Sequence, residues 1–137
     1  MNQAFDFIFK RLHLLTSLVI VVPTAIIYGF ALATLLTQHL DIQVATTDLS
    51  NFMRAIMCLY IGVSIIWLLG IINNNCWKVA TQLNLLFMAT LCLGRLLSML
   101  LDGMPSEGYV FAVIAELLLA ALAIYQLRRY TITYPSY

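Results

Sequence analysis

Leu91-Cys92-Leu93-Gly94-Arg95-Leu96-Leu97-Ser98-Met99-Leu100-Leu101-Asp102-Gly103-Met104-Pro105-Ser106 is the stretch on which the fold turns. It closes an apolar run of about Val79 to Leu101, long enough for a helix to cross ~30 Å of hydrocarbon. Asp102 to Ser106 then reads as a helix stop followed by a turn. Within the run, Thr81, Asn84, Met88, Leu91, Arg95, Ser98 and Asp102 recur at alternating three and four residues, the spacing of a packed helix seam. Most polar residues of the run are on that stripe. Lipid would leave these groups unsatisfied, so the stripe is expected to face protein or water.

Composition points the same way along the whole chain. Of 137 residues 63% are hydrophobic and only 9% charged, whereas soluble domains carry roughly 25% charged residues. Too few charges remain to coat a water-soluble globule, which excludes a soluble enzyme and a disordered chain. A net charge of +1 offers no clustered basic surface for nucleic acid. Three more apolar runs span about Leu12 to Leu36, Phe52 to Ile72 and Val110 to Leu127. Each suits a membrane helix, the secondary structure that satisfies its own backbone in lipid. The first run is too long for the apolar part of a cleavable leader and has no small-residue cleavage site. The expectation is one all-α integral membrane domain over residues 1–137, an up-down-up-down bundle of four antiparallel helices joined by short connections, with Asn73-Asn74-Asn75 as a turn.

Orientation follows from the basic residues. Lys10 and Arg11 precede the first run, Lys78 lies between the second and third, and Arg128 and Arg129 follow the fourth. The other two loops hold Asp41, Asp48, Asp102 and Glu107. Both termini are therefore expected in the cytoplasm. Trp77, Tyr109, Tyr130 and Tyr134 are expected as interfacial aromatics. Ala25, Gly29 and Ala33 form a small-residue stripe for close helix contact, and Gly62 and Gly70 are expected to serve the same purpose. Ala112, Glu116, Ala120 and Ala123 share a face of the fourth run, and Pro23 predicts a mild kink in the first.

The charges within the runs define the candidate site. Arg95 lies seven residues before Asp102, roughly 10 Å below the outer boundary at 1.5 Å per residue. Glu116 lies eight residues past Gly108, roughly 12 Å below the same boundary. Opposite charges at matching depth on neighbouring helices are expected to pair, since either alone is costly there. One reading is a buried clasp that fixes helix register, with Arg54 and Asp102 completing the network. The other is an outward-facing ligand cluster of Arg54, Arg95, Ser98, Asp102 and Glu116, meeting a lipid headgroup or a carboxylate.

Other chemistry finds no residues to perform it. His13 and His39 flank the first run, roughly 39 Å apart along a helix, and no histidine is expected inside a run. Haem, metal and quinol sites of the usual kind are therefore not expected. Ser98 has no neighbouring histidine to act as its base. Cys58, Cys76 and Cys92 lack metal-type spacing. No enzyme activity and no cofactor are expected.

The run Gly94 to Ser106, followed by Glu116, resembles the small four-helix bacterial membrane family called domain of unknown function 4345 (DUF4345). In that family a Gly-Arg pair leads into a Ser-x-x-x-Asp-Gly-x-Pro turn and then a glutamate. Arg54 followed by Gly62 is similar to its helix-two pattern, although a single Gly62 stands where the family has a Gly-Gly pair. The resemblance covers nearly the whole chain and implies a bacterial inner-membrane address and four spans, without a reaction. Three functional readings follow. The first is a non-enzymatic protein supporting the envelope permeability barrier, through membrane lipids or a partner protein. The second is a small dimeric transporter using Glu116 and Arg95. The third is an accessory subunit of a larger membrane complex, with a second copy of the chain or another membrane protein as partner.

Overall fold

The computed structural model describes residues 3–30 and 46–133. They form four α-helices and no strand: α1 (Gln3–Phe30), α2 (Thr47–Ile72), α3 (Asn74–Asp102) and α4 (Glu107–Thr133). All four are long and apolar enough to cross a membrane, over Asp6–Phe30, Thr47–Ile72, Asn74–Asp102 and Glu107–Tyr130. This is the arrangement of a multi-pass membrane protein. Each helix closes its own backbone hydrogen bonds, as a hydrocarbon solvent requires.

The helices extend beyond the apolar runs that announce them. α1 begins at Gln3 rather than near Leu12, because the polar residues Asp6, Lys10 and Arg11 continue its turns. The later part of the first run, with Ala33, lies outside the described residues, as do His39 and Asp41 beyond it and Tyr134. α1 runs unbroken through Pro23. Thr46 caps α2 by accepting the Leu49 amide at 3.2 Å.

The Asn73-Asn74-Asn75 turn is shorter than expected. Only Asn73 is non-helical, and it serves both neighbours. Its amide donates to Leu69 O at 2.8 Å, while its side-chain oxygen accepts the Asn75 amide at 2.9 Å. One residue thus ends α2 and starts α3. α3 stops at Asp102, where Gly103 takes a φ of 95° that side-chain-bearing residues rarely adopt.

Each helix packs on its neighbour in sequence, and α4 returns to touch α1. Leu14, Val21, Ala25, Tyr60, Trp67, Trp77, Ala80, Met88, Leu119 and Ala120 form the core. Large aliphatics such as Val19, Leu100 and Leu101 remain exposed, as befits surfaces solvated by lipid. Ala25 and Gly29 of the small-residue stripe are buried. Gly70 permits a close helix approach, since a Cβ there would come 2.3 Å from Ala80 Cβ. Gly62 does not act in this way: a Cβ there would meet nothing within 4 Å. Trp77 lies one turn past the Asn73 joint. It is buried, donates Nε1 to Lys10 O at 3.1 Å, and carries the Lys10 ammonium 4.4 Å from its ring centroid.

Candidate functional site

α3 packs on α4, and Ala120 and Ala123, on the face of α4 that carries Glu116, are buried. These small side chains leave room for two long charged ones. Arg95 Nε donates to both oxygens of Glu116, at 2.9 and 3.2 Å. The pair is largely shielded, with side chains 21% and 10% exposed. At such depth a lone charge costs about 3 kcal/mol by insertion scales, and mutual neutralisation offsets that cost. The Tyr109 ring flanks the guanidinium, its centroid 5.1 Å from Cζ. Tyr28 also interacts with this guanidinium. Tyr28 and Tyr60 pack with ring centroids 6.0 Å apart, and Tyr60 meets Phe87 at 5.0 Å.

Arg95 stands between two spaces. An apolar cavity of about 250 Å³ runs among α1, α3 and α4, lined by Ile20, Thr24, Ile27, Met88, Leu119 and Glu116. A more open cleft of about 430 Å³ faces α2 and α3, lined by Phe52, Met53, Ile56, Gly94 and Ser98. Tyr28, Tyr60, Leu91, Arg95 and Tyr109 border both. The arrangement can hold an amphiphile: hydrocarbon walls surround a guanidinium whose charge is already balanced.

The remaining candidate residues separate from the pair. Ser98 Oγ donates to Asp102 Oδ2 at 2.9 Å, and both are exposed at the end of α3. Ser98 reaches the mouth of the cleft, but Asp102 does not complete the ion pair. Arg54 also stands apart, exposed on α2 in a shallow hollow with Thr47, Asn51, Ala55 and Cys58. The network of four charges is thus one pair with two outlying groups among the described residues. Exposure explains the difference: water or headgroups at the helix ends can solvate Arg54 and Asp102, so burial does not force them together.

The polar stripe of α3 contains contacts that depth alone does not reveal. His13 lies inside α1 and is fully buried, contrary to the expectation of no histidine within a run. Its Nε2 is 3.1 Å from Thr81 Oγ1, and Thr81 in turn donates to Trp77 O at 2.7 Å. One turn on, Asn84 Nδ2 donates to Ser17 Oγ at 2.8 Å. Gln126 Nε2 donates to Phe9 O at 2.8 Å, and Arg11 Nε to Ile71 O at 2.9 Å. The signal for this ladder was the shared three-to-four spacing of His13 and Ser17 on α1 with Thr81 and Asn84 on α3. Among the described residues no group of three or more His, Cys, Asp or Glu is placed to hold a metal.

The family described as Domain of unknown function (DUF4345) matches this chain over residues 9–127. The chain belongs to this family. The matched range includes the Arg95–Glu116 pair, the residues bordering both cavities and the α1–α3 ladder. No curated protein and no solved structure matches the chain.

Proposed function

We propose that this DUF4345 protein is a non-enzymatic protein of the bacterial inner membrane that supports the envelope permeability barrier. In this reading its helices run up-down-up-down with both termini in the cytoplasm. Lys10, Arg11, Lys78, Arg128 and Arg129 then mark the cytoplasmic side, and Asp48, Asp102 and Glu107 the outer one. The protein acts by holding membrane lipid at its outer end, alone or beside a second copy or another membrane protein. The observation that carries this reading is the neutral Arg95–Glu116 pair set between an apolar cavity and an open cleft.

The test is complementation of a deletion strain's permeability defect by Arg95→Glu, Glu116→Arg and the double swap, at matched abundance. If the cluster is the working site, the double swap accumulates normally but leaves the barrier leaky. Restoration of the barrier by the double swap would make the pair a structural clasp, with function elsewhere. An unchanged barrier in the deletion strain would overturn the envelope role. The cavity wall formed by Glu116 also supports a second reading, Glu116-dependent transport. It requires flux in proteoliposomes that Glu116→Gln abolishes, and absence of flux with several cations and anions would remove it.

A further inference from the structure

Arg95 has hydrogen-bonding capacity that its partner does not use. A guanidinium offers five N–H donors in a planar fork, and Glu116 engages only Nε. The Tyr28 side chain hydrogen-bonds the group as well, and a fork of five donors still exceeds what these two partners take up. Arg95 borders the open cleft, whose remaining walls are mostly apolar. Donors of a charged group in such surroundings call for an acceptor of matching strength.

The order of charges along the cleft selects among acceptors. Arg95 is deep, and Ser98 lies about 4.5 Å further out along α3 at the helical rise. Asp102 turns its carboxylate back onto Ser98, consistent with the N-terminal lean of helical side chains. Of the ion pair only Arg95 lines the cleft, Glu116 lying on the side of the apolar cavity, so the cleft presents guanidinium donors within and a carboxylate at its mouth. An anionic headgroup would meet repulsion from Asp102, and Glu116 has already balanced Arg95. A cationic headgroup would meet Arg95. A zwitterion with its phosphate inward and its ammonium outward satisfies both ends.

We propose that the open cleft binds one zwitterionic aminophospholipid, with its phosphate oxygens on Arg95, its ammonium at Ser98 and Asp102, and an acyl chain along Phe52, Met53 and Ile56. This rests on the reading of the cleft as a lipid contact and adds the headgroup it selects. Gly94 supplies the test, because it lines the cleft and a Cβ built on it meets nothing within 4 Å. Gly94→Leu therefore projects a side chain into the cleft from a position where its Cβ has room. Gly62→Leu, equally free of neighbours and outside the cleft, is its control.

The experiment is native mass spectrometry of the full chain released from nanodiscs of equimolar phosphatidylethanolamine and phosphatidylglycerol with matched acyl chains. The wild type should retain one phosphatidylethanolamine in preference to phosphatidylglycerol by about fivefold, the scale of one solvent-accessible charge pair. Gly94→Leu should lose that lipid and Gly62→Leu keep it, both with wild-type helical content. Ser98→Leu is a second occluding variant and should also lose it. Asp102→Asn should keep a bound lipid but bring the two headgroups towards parity. Equal retention of both lipids by the wild type, or unchanged retention in both occluding variants, would overturn the proposal. A wild type that selects neither lipid yet restores the barrier would overturn this inference alone. Selective binding by a protein whose deletion leaves the barrier intact would overturn the envelope role alone.

Discussion

Ser17 and Asn84 show how a single buried hydrogen bond works when the surroundings are lipid. Both are fully buried, and their 2.8 Å contact ties α1 to α3. Before the helices associate, neither group meets bulk water, so each can satisfy itself on nearby backbone or on another helix. The net gain from pairing is correspondingly modest. A double-mutant cycle of Ser17→Ala and Asn84→Ala, read by unfolding in mixed micelles, should give a coupling of about 0.6 kcal/mol and stay below about 1.7 kcal/mol. A coupling near zero would mean that the ladder records packing rather than directing it. The Arg95–Glu116 contact was legible in the sequence because helical rise fixes depth along both helices from a shared boundary. His13 was not, because as the second residue of a run that begins at Leu12 it reads as a boundary group, whereas the helix begins at Gln3 and carries it inside. The tyrosines around Arg95 were hidden for another reason. Tyr28 and Tyr60 come from helices whose rotation about their axes depends on packing, to which periodicity gives no angle.

At the scale of elements, the four helices could be read directly from apolar length, and the helix stop at Asp102 and Gly103 from turn chemistry. Which glycine serves a close contact could not be read, because Gly62 and Gly70 look alike in sequence. Their neighbours separate them: Ala80 Cβ stands against Gly70, and open space surrounds Gly62. Gly70→Ala should therefore destabilise the fold by about 1–3 kcal/mol, the usual cost of overpacking. Gly62→Ala should be neutral or stabilise by up to about 1 kcal/mol through helix propensity. Unfolding midpoints of the two variants in one detergent system would check the pair, and equal midpoints would contradict the close approach of α2 to α3.

Across the whole molecule the two ends differ. At one end Lys10, Arg11, Trp77 and Gln126 tie helices together through side-chain bonds to backbone or to Asn74. At the other, Arg95 and the tyrosines border the two cavities. If the basic end is cytoplasmic, a membrane-impermeant maleimide applied to intact cells should label Met104→Cys in a background lacking the native cysteines. Asn75→Cys should be labelled only after permeabilisation. The reverse pattern would invert the orientation.

The one-residue joint at Asn73 also sets an order of assembly. Closing a short loop costs far less chain entropy than closing a long one, so α2 and α3 can zip into a hairpin as soon as both are in the bilayer. The bond from Gln126 to Phe9 joins positions 117 residues apart. It can form only after residues up to Gln126 have left the ribosome. A nascent chain halted before Gln126 would already hold its hairpin, yet would lack the bond that fastens α4 to α1.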